Sequence, residues 1–238
     1  MHAFAGANGP AAPRRRDGPE RRAQILATAA ELFAEYGFEQ TSMREIAKRV
    51  NMLAGSLYHH FATKDDLLHA LIREPQQQII RENERLAALL VDAELRLAAT
   101  VIARFHQFTA NWHVHVLLMQ EANFYRQHAE FSYVQTAKNQ ASLVMTRILD
   151  EGIATGLFRA EIDSYLTNAT ISQMISAAAG RLRQGAFISA VTGREYGFAA
   201  VLDHTLDCAL RLVRPAARIE APVRRAEAER LVGDSLGR

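Results

Sequence analysis

The chain has one cysteine in 238 residues. A single thiol excludes any intrachain disulfide, so the fold must be held by its core, as in a reducing interior such as the cytoplasm. Cys208 lies in an apolar helical pattern and is expected to be a buried, inert thiol. Long hydrophobic runs are also missing. No stretch approaches the ~20 apolar residues needed to cross a bilayer. The N-terminal segment places its arginines after its weakly apolar part, the reverse of a secretory signal. Net charge is only +2. Overall charge therefore does not announce a nucleic-acid partner, and a local patch must do so. Metal-ligand spacing is absent, with no His-Glu-x-x-His and no Cys/His set, so neither a metal nor a cofactor is expected. Sustained alternation of apolar and polar residues is absent too, which excludes half-buried strands.

What remains is helical periodicity and enough apolar residues, 49% of the chain, to bury one large core or two smaller ones. Residues 1–18, rich in Gly, Ala, Pro and Arg, read as a disordered basic arm. Ile25, Ala29, Leu32, Phe33 and Tyr36 then mark one face of a helix that Gly37 should stop. Ser42-Met43-Arg44-Glu45 fits a capping box, in which the Ser42 hydroxyl accepts the Glu45 N–H and the Glu45 side chain reaches back. The helix it opens buries Ile46, Ala47 and Val50 and ends at Asn51, a residue that tolerates the left-handed conformation of a tight turn. A second short helix carries Leu57 and Phe61 inward, and Thr63-Lys64-Asp65-Asp66 caps a third that buries Leu67, Leu68, Leu71 and Ile72. Two short helices joined by a tight turn and supported on both sides form a helix-turn-helix unit.

The second short helix should turn Ala54, Gly55, Ser56, Tyr58 and His59 outward. Its first turn carries little side chain, and glycine in a helix costs ~1 kcal/mol against alanine. Close backbone approach to a ligand would repay that loss. Around it, residues 41–60 hold Arg44, Lys48 and Arg49 against Glu45 alone, a local +2. Tyr58 and His59 can donate to phosphate oxygens, and the helix starts at Ser42 and Thr63 offer N–H groups of the kind that hold phosphates. His59 and His60 project ~100° apart on a helix, which disfavours a metal pair, and no nucleophile or enclosing pocket accompanies them. A DNA-reading face suits these residues best.

The segment "TSMREIAKRVNMLAGSLYHHFATKDDLLHAL", preceded by "ILATAAELFAEYGFEQ", resembles the DNA-binding domain of TetR/AcrR-type transcriptional regulators. The resemblance covers residues 21–72 and rests on Gly55 to Phe61 followed by Thr63 to Asp65. It implies a homodimer, a helical ligand domain and ligand-controlled release of double-stranded operator DNA. By position it places Ser42, Tyr58, His59 and Lys64 at phosphates, and Ala54, Gly55 and Ser56 at base edges with Arg44 nearby. Two departures stand out. Asn51 replaces the commoner turn glycine, and Leu53 stands where Ser or Thr usually caps the recognition helix. "FSYVQTAKNQ" with "LDEGIATGLFRAEID", within residues 131–163, resembles a subgroup regulating steroid and fatty-acid breakdown, some members of which sense acyl-CoA thioesters.

Beyond residue 72, Pro75 should kink or interrupt the connecting helix. Further helices are expected near 76–90, 94–110, 113–128, 131–155, 163–184 and 192–213, with Gly156 ending one. Thr192-Gly193-Arg194-Glu195 reads as a third capping box. Ala199, Leu202, Leu206, Ala209 and Val213 form an apolar seam, an intramolecular one or, as the resemblance favours, a dimer interface. "ISAAAG" at 175–180 permits close helix approach. The middle helices concentrate large and polar-tipped groups: Phe105, Phe108, Trp112, His115, Met119 and Tyr125, with Gln173 and Met174 able to join them. Such a cluster is either plain core or an effector pocket with a few placed polar groups. Past Pro215 the Arg-rich tail reads as a frayed helix.

The expected architecture is all-α. It comprises a helix-turn-helix domain at 19–72, a helical effector-binding and dimerisation domain at 73–214, and a tail at 215–238. The expected function is a cytoplasmic DNA-binding repressor, not an enzyme, released by a small hydrophobic effector. The rivals are an effector-free architectural DNA binder and a helical enzyme using the His-rich middle.

Overall fold

The computed structural model describes residues 18–183, 185, 187–188 and 192–233. Apart from Gly18, the arm expected at the N-terminus lies outside the described residues. Eleven α-helices follow in order among those described: α1 (Gly18–Tyr36), α2 (Met43–Arg49), α3 (Ala54–His60), α4 (Lys64–Ala87), α5 (Ala93–Ala110), α6 (Trp112–Gln120), α7 (Ala122–Gln127), α8 (Ser132–Ala154), α9 (Ser164–Arg183), α10 (Phe198–Val213) and α11 (Arg225–Gly233). The all-α expectation holds. Among the described residues the sole extended pairing is an isolated bridge between Ile188 and Glu195.

Two buried clusters organise the chain. The first joins Ile25 and Phe33 of α1, Ile46 of α2, Leu57 of α3 and Leu67, Leu68 and Ile72 of α4. It also takes in Val114, Leu117 and Leu118 of α6 and Tyr125 of α7. The second is built around α5, which packs against α4, α8, α9, α10 and α11. From Ala93 to Phe105 every residue of α5 except Arg96 is buried. A helix enclosed on all sides is normally apolar throughout, which makes Arg104 in its second half conspicuous.

Gly37 (φ +87) and Gly156 (φ +71) end α1 and α8 in the left-handed conformation, as expected. Ile25, Ala29, Leu32 and Phe33 face inward, but Tyr36 is exposed. Pro75 does not interrupt its helix. α4 runs through it unbroken, because packing against α1, α5 and α8 holds the helix where one backbone bond is lost. The expected 113–128 helix divides at Glu121 into α6 and α7. The third capping box does not form. α10 starts six residues later with Gly197 as its cap, and Thr192 instead accepts from the Arg194 N–H within a loop.

The seam on α10 is intramolecular. Leu202, Leu206, Ala209 and Val213 are buried within one chain in the second cluster and offer no surface to a partner, while Ala199 is exposed. Their apolar spacing is the same for either partner, and only the packing of α9 and α5 decides it. Cys208 is half-buried rather than enclosed, with its Sγ 3.5 Å from His204 Nε2. Through residue 233 the tail is not frayed. α11 lies on α5 with Ala228 and Val232 buried, and the arginines leading into it and at its start are in ion pairs: Arg214 and Arg218 with Glu94, Arg224 with Asp92, and Arg225 with Asp203.

Gly152 gives a sharp test of this packing. Alanine in a helix interior would ordinarily add ~1 kcal/mol of stability. Here a Cβ would stand 1.9 Å from Cδ2 of the buried Phe158 ring. Gly152→Ala is therefore expected to lose about 1–3 kcal/mol through overpacking. Urea unfolding reads the sign, and a gain in stability would show that the ring is free to move.

Candidate nucleic-acid interface and effector cleft

The α2–α3 unit is locally over-determined. Ser42 and Glu45 form the full capping box, with Glu45 N–H to Ser42 Oγ at 3.2 Å and Ser42 N–H to Glu45 Oε2 at 2.7 Å. These bonds hold the Glu45 carboxyl below the usual carboxylate range. The turn then depends on Asn51, the one described non-glycine residue with positive φ, at +53°. Arg21 of α1 donates to the Asn51 carbonyl at 3.3 Å, a brace that the sequence reading missed. Leu53 caps α3 without any side-chain bond and is 80% exposed. Leu57 and Phe61 anchor α3 to the core, and the Arg22 guanidinium sits 4.6 Å from the Phe61 ring centroid.

That anchoring fixes which face of α3 is free. Gly55, Tyr58 and His59 are exposed, and Ala54 and Ser56 are partly so. A Cβ added at Gly55 would meet nothing within 4 Å, so the first turn is open to an incoming surface. Arg44, Lys48 and Arg49 are exposed on α2 beside it. Two of the residues expected at phosphates have prior engagements. The Ser42 N–H and hydroxyl both go to Glu45. Lys64 donates to the carbonyls of Phe38 (2.8 Å) and Glu39 (3.3 Å) and lies over the Phe38 ring. It braces the α1–α2 loop, leaving one of three ammonium donors.

A second feature is a cleft of about 280 Å³ between α4, α5, α6, α8 and α9. Phe108, His115 and Met119 line it, as the sequence reading expected. The His115 ring stacks on Phe108 at 4.1 Å, and its Nε2 lies 2.7 Å from Ser176 Oγ. Arg104, Lys138, Asn168 and Ser172 line it as well. The sequence reading missed these because they come from three helices far apart in the chain.

Two family models divide the chain between them. One, described as bacterial regulatory proteins of the tetR family, matches residues 25–71. The other, the tetracyclin repressor-like C-terminal domain, matches residues 94–213. The chain belongs to the TetR family. The HTH-type transcriptional repressor KstR2 of Mycobacterium tuberculosis is 30% identical over 143 residues, 60% of this chain and 72% of that protein. KstR2 of Rhodococcus jostii is 26% identical over 183 residues, 77% and 90% of the two chains. Among solved structures, the ketosteroid transcriptional regulator KstR2 of M. tuberculosis superposes with a TM-score of 0.70 at 24% identity, over 84% of this chain and 97% of that one. Mycobacterium smegmatis AmtR gives 0.69 at 24% identity, over 94% and 97%. At these identities the structural likeness speaks for the fold. As a TetR-family member, the chain is a DNA-binding transcriptional regulator.

Not all residues expected at the effector site of this TetR-family chain reach the cleft. Phe105 is fully buried in the second cluster, edge-on to Phe198. Trp112 packs on α9 so closely that a Cβ at Gly180 would lie 2.5 Å from its Cη2, which is where the small "ISAAAG" residues act. Tyr125 is buried within the first cluster. Burial raises its pKa, and its hydroxyl has no partner among the described residues. Gln173 is exposed on α9 and does not line the cleft, and Met174 lines a separate groove between α9 and α10. The aromatic-rich stretch supplied both core and cleft, and composition alone cannot divide them.

Burial, and secondarily Lys138, push the His115 pKa from 6.5 down to about 4. A base whose folded pKa lies below its unfolded value stabilises the fold in its neutral form. That contribution is complete above the unfolded pKa and is lost as pH falls from about 6.5 towards 4. The loss can reach about 1.4 kcal/mol per pH unit. His115→Gln is therefore expected to flatten the acid limb of stability against pH between those values. An unchanged limb in urea titrations would show that His115 is solvated.

Proposed function

We propose that this TetR-family chain is a homodimeric repressor that leaves operator DNA when a small hydrophobic effector enters the 280 Å³ cleft. The supporting observation is that α6 belongs to both sites. Val114, Leu117 and Leu118 sit in the first cluster, where α6 packs on α1, while His115, Leu118 and Met119 line the cleft. A ligand that displaces α6 disturbs the support of the helix-turn-helix unit. Glu121, between α6 and α7, adds a second link by accepting the Phe38 N–H at 3.2 Å. The effector shifts the equilibrium only by its differential affinity for the DNA-incompetent state.

In this reading the helix-turn-helix domain spans 19–72 and the effector and dimerisation domain begins at 73, with the tail through residue 233 built into it. Gly55 and Ala54 approach base edges, Ser56 and Arg44 lie beside them, and Tyr58 and His59 hold phosphates. The dimer face is the outward side of α9 and α10, where Leu166, Gln173, Ala177 and His204 are exposed. The 640 Å³ groove there exceeds the cleft in volume, but the one buried polar side chain on its wall, Thr205, is spent on the Val201 carbonyl of its own helix, and Phe187, Arg194 and Tyr196 complete a lining without a buried charge. It fits a second protomer.

The reading is tested by filling the cleft from within. Ala141→Trp, on α8, should lower operator affinity at least about fivefold, the low end of allosteric coupling, while sedimentation still shows a dimer. Ala177→Glu should instead give a monomer with unchanged helical content. Wild-type operator affinity in a dimeric Ala141→Trp protein would remove the proposed link between cleft and DNA.

A further inference from the structure

The cleft contains a cation without a counter-ion. Arg104 is 6% exposed and lines the cleft. Its Nη1 donates to Asn168 Oδ1 (3.3 Å) and Ser172 Oγ (3.1 Å), and its Nη2 to the Ala141 carbonyl (2.8 Å). All three acceptors are neutral. No aspartate or glutamate lines the cleft, and among the described residues Arg104 has no ion pair. Of five guanidinium donors, Nε–H and one Nη2–H are left. A second cation, Lys138, lines the same cleft and has a single neutral acceptor, the Leu118 carbonyl at 3.3 Å.

Burying a charge is costly unless it is paired. Arg214 in the same chain shows the ordinary solution, a carboxylate held on its guanidinium. Arg104 has only amide, hydroxyl and carbonyl oxygens around it. Burial lowers its pKa to about 10, so it stays charged at neutral pH. The structure thus maintains a fixed positive charge, with two free donors, on the wall of a cleft whose remaining lining includes Ile79, Phe108, Leu118 and Met119.

Resting on the reading of the cleft as the effector site, we infer that the effector is a small amphipathic organic acid whose carboxylate pairs with Arg104 and whose apolar body lies against Phe108, Leu118 and Met119. Two adjacent guanidinium donors match the two oxygens of a carboxylate. The cleft, at 280 Å³, lies at the small end of ligand sites, which run to about 1,000 Å³. It suits a free acid. The coenzyme A thioester of a monocarboxylic acid has no anionic group at its acyl end, and its nucleotide and pantetheine arm are far bulkier than the cleft. In this inference the acid stands in place of the thioester that the resemblance suggests.

The test uses the full-length protein and three probes with the same body: decanoate, 1-decanol and decanoyl-coenzyme A. Trp112, the single tryptophan, has its ring centroid 5.6 Å from that of His115 and reports binding by fluorescence. Calorimetry gives the affinities. Decanoate is expected to bind wild type about ten- to a hundredfold more tightly than decanol, the range for a hydrogen-bonded charge. Arg104→Met should remove most of that preference, leaving only what Lys138 supplies. Arg104→Lys, which keeps the charge but not the fork, should retain the preference for the acid at several-fold lower affinity, and it carries the test if Arg104→Met does not fold. Equal binding of decanoate and decanol by wild type would overturn the inference while leaving the cleft as an effector site. So would a decanoate affinity and a preference for the acid that are undiminished in both variants, or tighter binding of the thioester than of the acid. Binding of none of the three would overturn the inference and the effector reading together.

Discussion

Glu94→Leu is expected to destabilise the chain by about 3–5 kcal/mol, the cost of leaving a buried charge without its partner. Glu94 lies in the first turn of α5, and Arg214 just beyond the end of α10 is completely buried. Arg214 Nη2 and Nε meet Glu94 Oε1 and Oε2 at 2.9 and 3.3 Å, and Arg214 also donates to the carbonyls of Ala221 and Pro222. The pair ties the start of the central helix to the turn leading into α11. Glu94→Leu leaves Arg214 enclosed and charged, whereas Glu94→Leu with Arg214→Met removes both charges. Buried pairs replaced by apolar groups are often nearly neutral, so the double variant should regain most of the loss. Urea unfolding of the three proteins measures it. A single-variant loss under ~1 kcal/mol, the scale of an exposed pair, would show that the pair is solvated.

Gly55→Leu is expected to abolish specific operator binding while leaving the fold intact. The added side chain enters open space in the free protein, and leucine is the better helix former by up to ~1 kcal/mol. In the complex it stands between α3 and the base edges. Specific binding typically exceeds non-specific binding by 10³ or more, so the loss should be about that large. Non-specific binding comes from phosphate neutralisation and should persist with its salt dependence. Lys64→Ala should behave differently. Its ammonium braces the Phe38 and Glu39 carbonyls, so its loss should lower thermal stability as well as affinity for any duplex. Operator affinity equal to wild type in folded Gly55→Leu would remove the first turn of α3 from the interface.

The N-terminal third was legible because its signals are local. Ser42 with Glu45, Thr63 with Asp66, and Asn51 at φ +53 each decide a boundary within four residues, and the structure follows them. Leu57 and Phe61 then determine which face of α3 remains outside. The C-terminal part depends on partners distant in sequence. The spacing of Leu202, Leu206 and Val213 shows that a face is buried, not against what. Nothing local in the sequence marks Arg104. Its partners Ala141, Asn168 and Ser172 come from α8 and α9. The tail misled in the same way, since a run of arginines resembles a solvated segment until Glu94, Asp92 and Asp203 are placed opposite it. Thr192 and Glu195 had capping-box spacing without a helix to cap, because α10 begins at Phe198.

The central claim is that α3 is the element this regulator presents to operator DNA, and directed cleavage tests it most directly. An iron–EDTA group is attached at Leu53→Cys in a Cys208→Ser background, at the exposed cap of α3 that makes no side-chain bond. A control carries it at Leu90→Cys, fully exposed between α4 and α5. The duplex is one selected by the wild-type protein from a random library. The account predicts strand cleavage confined to the bound site from position 53 and none from position 90. Cleavage from position 90, or none from position 53 in a protein that demonstrably holds the duplex, would contradict it.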